Sequence, residues 1–144
     1  MDEARAAQPR VDQAGIPSKV RVLLVDDEPS VVRVLRRRLE TQGYDVAVAM
    51  DGMAALDMAK EGQPHLIILD LMLPRLNGYE VCRMLKQDPL YAQIPVLILT
   101  ARGGPADKQE GLECGAEGYL IKPCQPDALL AEVQRLLKNY SKSA

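Results

Sequence analysis

Five short apolar runs alternate with stretches of helical periodicity, and this alternation restricts the possible folds of the chain more than any other feature. The runs cover residues 20–25, 44–49, 66–69, 96–99 and 118–121. The first, third and fourth runs are almost continuous in β-branched and aliphatic residues, which is typical of strands covered on both faces of a parallel sheet. The pattern predicts an α/β fold, a doubly wound five-stranded parallel sheet with five helices.

The helical stretches begin at residues suited to that position. Pro29 fits a first helical turn, and Asp51 and Asn77 can cap two further helices by accepting backbone hydrogen bonds. Residues 105–113 predict a weaker helix, because Leu112 is their only large apolar residue.

The segment before the first run is different in character. Residues 1–18 contain two prolines and scattered charges without an apolar period, so we predict a disordered leader there. A single domain is expected over residues 19–140, with a short tail at 141–144. The sequence leaves open whether the chain acts alone or is part of a longer protein.

Charge and hydropathy exclude several classes of protein. The 18 basic and 20 acidic residues give a net charge of −2, unlike the basic footprint of a nucleic-acid binder, and we interpret the basic run at residues 36–38 as a solvated helix face. No stretch of 18 apolar residues and no apolar signal core occur, so we expect a soluble, cytoplasmic protein without membrane contact.

The cysteines argue against a fold held together by disulfide bonds or by a zinc ion. Cys82, Cys114 and Cys124 are odd in number and none is in a C-x-x-C spacing, which disfavours a disulfide framework and a zinc site. We interpret Cys124 as a packed thiol and the lone His65 as a surface loop residue.

Polar residues come directly after four of the five apolar runs. Asp26 and Asp27 follow the first run, Asp70 the third, Thr100 the fourth and Lys122 the fifth. The carboxyl ends of parallel strands meet at one edge of the sheet, where such folds bind ligands. Each residue alone is compatible with a helix cap, a turn or a surface position, but together they predict one pocket.

That combination of groups suits phosphoryl transfer to a carboxylate. Three neighbouring carboxylates resist ionising together, and a hard cation with oxygen ligands, Mg²⁺ or Mn²⁺, relieves their repulsion. A carboxylate can form an acyl phosphate, while a cation, an ammonium group and a hydroxyl stabilise the phosphoryl oxygens.

Four segments resemble the receiver domain of bacterial two-component response regulators. They are V-L-L-V-D-D-E-P at 22–29, L-I-I-L-D-L-M-L-P-R-L-N-G-Y-E at 66–80, I-P-V-L-I-L-T-A at 94–101 and G-A-E-G-Y-L-I-K-P at 115–123. The resemblance extends from about Val20 to Tyr140. It implies a flavodoxin-like fold with strand order 2-1-3-4-5.

The resemblance also implies roles for the acidic residues. Asp70 would accept a phosphoryl group from a sensor histidine kinase or a phosphotransfer protein. Asp27 would bind Mg²⁺ directly and Asp26 largely through water, with Asp70 and the backbone carbonyl of Met72 completing the protein ligands.

Further roles follow by the same resemblance. Lys122 would pair with Asp70 and then with the phosphoryl group, after a cis peptide bond to Pro123. Thr100 and Tyr119 would be the switch residues, both turning inward. The fourth helix, fifth strand and fifth helix would then signal to a partner or output domain, or pair with a second copy of the chain.

Two departures from the family pattern concern that signalling face. Cys124 stands where the family commonly has Phe, and Glu117-Gly118 where it often has two acids. Neither position belongs to the phosphoryl-accepting set.

Three alternative functions remain. An aspartyl phosphatase would have a second Asp at the position of Met72. A nucleotide or flavin binder would show a glycine-rich phosphate loop, and no G-x-x-x-x-G-K-[ST] motif occurs. A receiver that only docks partners would not need all five polar residues.

Overall fold

The structure is a computed structural model that describes residues 19–143, with side chains over residues 19–138. The predicted leader lies outside the described residues. Five strands form one sheet: β1 (Arg21–Val25), β2 (Asp45–Ala49), β3 (Leu66–Leu69), β4 (Val96–Thr100) and β5 (Gly118–Ile121). All neighbouring strands are parallel in the order β2-β1-β3-β4-β5, which confirms the predicted fold.

Five helices connect the strands: α1 (Pro29–Thr41), α2 (Gly52–Gly62), α3 (Gly78–Gln87), α4 (Pro105–Glu113) and α5 (Pro126–Ser143). The predicted caps form, since the side chain of Asp51 accepts from the amide of Ala54 and that of Asn77 from the amide of Glu80. α5 reaches Ser143, so it extends into the segment predicted as a tail.

Two apolar cores cover the sheet, because alternate side chains of a strand point to opposite faces. The first core contains Leu23, Ile67 and Ile98 and packs under α2 and α3. The second contains Leu24 and Ile68 and packs under α1 and α5. Sheet burial on both faces explains why the central strands read as continuous apolar runs.

The helix α4 contributes least to these cores. Of its nine described residues only Gly111 is buried. Leu112, the one large apolar side chain of this helix, is 47% exposed. A single apolar residue does not define a buried helix face, so the helix predicted as weak is also weakly packed.

The interpretation of His65 as a surface residue is wrong. His65 is buried: its ring nitrogen Nδ1 accepts from the amide of Arg21 at 2.9 Å, and its own amide donates to the Arg21 carbonyl at 2.8 Å. Burial and the charge of Arg21 lower the pKa of His65 to about 4.

Two other predictions about side chains, the basic run and Cys124, are confirmed. The basic run at residues 36–38 is exposed on α1. Cys124 packs against the second core. No helix among residues 19–143 has the length and apolar character needed to cross a bilayer.

Candidate functional site

Adjacent strand ends place two aspartates side by side. The amide of Asp70, directly after β3, donates to the carbonyl of Val25 at the end of β1 at 3.0 Å, and the amide of Asp26 donates to Ala49 at 3.1 Å. Asp26 and Asp70 are therefore buried at the carboxyl edge of the sheet, whereas Asp27 is exposed to solvent.

The three carboxylates converge. Oxygen atoms of Asp26, Asp27 and Asp70 all lie within 4.8 Å of one another. Such an all-oxygen set with one solvent-facing member suits a hard divalent cation that keeps part of its water shell. The residues present therefore fit Mg²⁺.

Lys122 reaches into the same pocket from the end of β5. Its Nζ lies 2.7 Å from Oδ2 of Asp26 and 3.0 Å from Oδ2 of Asp70, and Glu28 lies 3.7 Å away. The peptide bond from Lys122 to Pro123 is cis. One ammonium group thus bridges the two buried aspartates.

Burial and hydrogen bonding shift the pKa values of Asp26 and Lys122 in opposite directions. Burial raises the pKa of Asp26, and hydrogen bonds from Lys122 and from the Glu28 amide offset part of this rise. For Lys122, burial lowers the pKa, but its hydrogen bonds and charge attraction to Asp26 and Asp70 outweigh burial and raise it. The lysine is held in its charged form.

The loop after Asp70 is tightly packed. The amide of Met72 donates to Oδ1 of Asp70 at 3.2 Å, which places the Met72 backbone beside the carboxylate. Gly78 begins α3 so close to this loop that a Cβ there would lie 2.3 Å from the Asp70 carbonyl and 2.7 Å from the Leu71 Cα. Glycine is required at this contact because the neighbouring atoms are backbone.

Thr100 lies at the end of β4 and is fully buried. Its Oγ1 accepts from the Arg102 amide at 3.4 Å, and its carbonyl accepts from the Lys122 amide at 2.8 Å. The hydroxyl is therefore engaged with the loop that leads to α4.

Tyr119 touches the same loop from the other side. Its hydroxyl donates to the Arg102 carbonyl at 2.5 Å, and its ring occupies the space where a Cβ of Gly111 would lie. Burial, with the nearby Tyr79 and Asp107, raises the pKa of Tyr119 to about 12, so its hydroxyl remains a donor at neutral pH.

The predicted residues form two groups. Asp26, Asp27, Asp70 and Lys122 share one pocket, while Thr100 and Tyr119 are joined through the backbone of Arg102. Sequence reasoning missed this link, and no motif signals it, since both bonds are to main-chain atoms.

A further contact of α4 was also missed. The Tyr79 hydroxyl donates to the Asp107 carbonyl at 3.1 Å, and the Arg102 side chain pairs with Asp107 at 2.8 Å. The beginning of α4 is thus held by polar bonds in place of apolar packing.

The profile of the response regulator receiver domain matches residues 22–134, the segment that carries the acidic pocket. The chain belongs to this family. The family is that of two-component response regulators, as the resemblance in the sequence implied.

Curated relatives agree with this assignment. The chain is 47% identical over 118 residues to the alkaline phosphatase synthesis transcriptional regulatory protein PhoP of Bacillus subtilis, covering 82% of this chain and 48% of that protein. It is 45% identical over 118 residues to the DNA-binding dual master transcriptional regulator RpaA of Synechocystis, covering 82% and 49%. The chain thus spans about half the length of these relatives.

Solved receiver structures share the fold. The chemotaxis protein CheY4 of Vibrio cholerae superimposes with a TM-score of 0.79 at 37% identity, covering 83% of this chain and 100% of that one. The receiver domain of the Francisella response regulator 1452 gives 0.79 at 32% identity, covering 85% and 99%.

Proposed function

We propose that this receiver domain accepts a phosphoryl group on Asp70 from a phosphohistidine of a sensor kinase or phosphotransfer protein. The observation that carries the proposal is the bridge of Lys122 between Asp26 and Asp70, at 2.7 and 3.0 Å. The bridge holds a positive charge beside a buried carboxylate, where the oxygens of an incoming phosphoryl group would need it, and this supports Asp70 as the nucleophile.

In the proposed reaction an Asp70 carboxylate oxygen attacks phosphorus. The O–P bond forms, the P–N bond breaks, and the electron pair returns to the imidazole nitrogen of the donor, which takes a proton from water. Lys122 moves its hydrogen bond from Asp70 to the transferred phosphoryl oxygens. The chain would catalyse only this transfer and the later loss of the phosphoryl group.

A divalent cation fits the acidic cluster. We expect Asp27 to bind it directly, Asp26 largely through water, and Asp70 and the Met72 carbonyl to complete the protein ligands. When bound, Mg²⁺ supplies positive charge that offsets the repulsion between the carboxylates and the incoming anion. Mn²⁺ would fill the same role.

The proposed switch passes through Arg102. A phosphoryl group on Asp70 would offer the Thr100 O–H a charged acceptor. That hydrogen bond would be stronger than the 3.4 Å bond that the Thr100 oxygen now accepts from the Arg102 amide, and it would draw the side chain towards Asp70. Tyr119 would then give up the Arg102 carbonyl and turn inward. Since α4 has only one buried residue, this helix is the element expected to move.

The face formed by α4, β5 and α5 would transmit the change. Leu112 and Ile121 expose 47% and 45% of their surfaces there, which favours contact with a partner, an output domain or a second copy. RpaA and PhoP are named as transcriptional regulators, so we propose gene regulation as the output of a protein containing this chain. Sedimentation velocity with and without beryllofluoride, a phosphoryl mimic, tests self-association.

Acetyl phosphate provides the direct test of phosphoryl acceptance. Intact-mass spectrometry should detect one added phosphoryl group in the presence of Mg²⁺, and none after Asp70→Asn or after chelation. Asp57→Asn, at an exposed position on α2, is the matched control and should react normally. Lack of labelling in the wild type would favour a receiver that only docks partners.

A further inference from the structure

Two cysteines from different helices meet under the first core. Cys82 lies on α3 and is fully buried, and Cys114 caps the C-terminal end of α4 and is 4% exposed. The Cys114 thiol donates to the carbonyl of Gly111 at 2.9 Å. The Cys82 sulfur also lies 3.6 Å from the Cys114 carbonyl, so the two side chains share one small site.

The backbone around this site holds the two thiols together. Gly115 has φ +103° and approaches α3 so closely that a Cβ there would lie 2.9 Å from Cγ of Lys86, one helical turn after Cys82. Lys86 in turn pairs with Glu117 at 2.7 Å. The segment that follows Cys114 is therefore fixed against α3.

The environment of the pair favours one thiolate. Interaction with the Cys82 thiol lowers the pKa of Cys114, and the same interaction, with burial, raises that of Cys82. A thiolate is the nucleophilic form of cysteine. Cys114 is thus the thiol suited to react first, and Cys82 is the neighbouring thiol that can condense with its product.

Access to the pair requires only local opening. The helix that ends at Cys114 contributes one buried residue, Gly111, to the cores. Elements with so few apolar contacts open at small free-energy cost, which would admit a small oxidant to Cys114.

We propose that Cys82 and Cys114 form a reversible disulfide that fastens the end of α4 to α3. Disulfides of this kind in reducing compartments are typically transient sensors. The expectation that the chain lacks a structural disulfide framework is compatible with such a bond.

The oxidation balances with one molecule of hydrogen peroxide. The Cys114 thiolate attacks a peroxide oxygen, the O–O bond breaks, and the leaving hydroxide takes a proton to become water. The resulting sulfenic acid is attacked by the Cys82 sulfur. The S–S bond forms, the S–O bond breaks and a second water leaves, so two thiols lose two electrons and two protons in all.

Cys124 serves as an internal control. It packs against the second core, whereas Cys82 and Cys114 belong to the first. The sheet therefore separates Cys124 from the pair, and its thiol is expected to stay free.

Peroxide treatment followed by alkylation and peptide mapping tests the bond. The wild type should fall from three free thiols to one, with a peptide linking Cys82 to Cys114 that dithiothreitol separates. Cys124→Ala should give the same link, while Cys82→Ala and Cys114→Ala should give none within the chain. Oxidation of Cys114 without a link, or a link to Cys124, would overturn the proposal.

The effect of this disulfide on signalling would be to restrict the motion of α4, and that effect rests on the proposed switching of this helix. Amide hydrogen exchange in residues 105–113 should slow on oxidation of the wild type and of Asp70→Asn alike, but not of Cys114→Ala. If the link forms in both proteins while acetyl phosphate labels neither, the phosphoryl proposal fails and the disulfide stands. If acetyl phosphate labels the wild type normally and no link forms, the disulfide proposal fails alone.

Discussion

Replacing Lys122 by methionine should reveal how strongly one ammonium group stabilises the acidic pocket. The change keeps most of the side-chain stem but removes the cation between Asp26 and Asp70, which are 2% and 6% exposed. Both carboxylates would then be buried without their common counter-charge. In chelator-containing buffer no metal ion can replace the lost ammonium.

The expected loss in the free energy of unfolding follows from the burial of these ion pairs. Breaking a buried ion pair by removing one partner costs about 3–5 kcal/mol. The Lys122 side chain is 15% exposed, so some water can reach the vacated position, and we expect a loss of about 3 kcal/mol at neutral pH. With a urea slope of about 2 kcal/mol per molar, the unfolding midpoint should fall by about 1.5 M.

The pH dependence gives a second signature. Burial raises the folded-state pKa of Asp26 above its ordinary 3.8, and Lys122 restrains that rise. The folded protein therefore holds the proton more tightly, and stability falls as pH rises from about 3.8 through the raised pKa. Without Lys122 the folded-state pKa of Asp26 should be higher still. The loss of stability in Lys122→Met should therefore become smaller as the pH falls.

Urea unfolding of Lys122→Met between acidic and neutral pH is the assay, with Lys122→Met/Asp26→Asn as the matched double variant. The double variant should recover part of the loss, because only one buried carboxylate then lacks a partner. A single variant within about 0.5 kcal/mol of the wild type at neutral pH, or one whose defect grows on acidification, would refute the reasoning.

Three further outcomes are expected. Gly78→Ala should cost about 2–3 kcal/mol in urea unfolding, because its Cβ would lie 2.3 Å from the Asp70 carbonyl, whereas Gly62→Ala, with nothing within 4 Å, should change stability by less than about 1 kcal/mol. The one histidine, His65, should titrate by NMR at about 4, and stability should fall as pH drops from 6.5 towards that value; a midpoint near 6.5 would show a solvated ring. Lys86→Met should cost about 2 kcal/mol, since its Nζ donates to two carbonyls and one carboxylate; an unchanged urea midpoint would contradict this.

The convergence of the acidic residues was readable from the sequence for a simple reason. Carboxyl ends of parallel strands lie at one edge whatever side chains they bear, so Asp26, Asp70 and Lys122 could be assigned to one pocket from their positions alone. The strand order itself came from family resemblance. The shorter bond of Lys122 to Asp26 than to Asp70 depends on side-chain placement that no pattern contains.

Other features depended on contacts between distant segments. His65 is buried because its backbone and ring both bond to Arg21, far away in the sequence, and a polar residue before a strand gives no sign of this. Cys82 and Cys114 are likewise distant and lack a motif spacing. Their contact follows from the close approach of Gly115 to α3, which only the fold reveals.

The sparse packing of α4 has a consequence for how such a protein diversifies. With Gly111 as its one buried residue, nearly every other position of the helix can change while the free energy of unfolding shifts by no more than about 0.5 kcal/mol. If α4 belongs to the proposed signalling face, substitutions there would alter which molecules that face recognises and leave the pocket at the strand ends intact. Gene duplicates could thus acquire separate partners while inheriting the same chemistry.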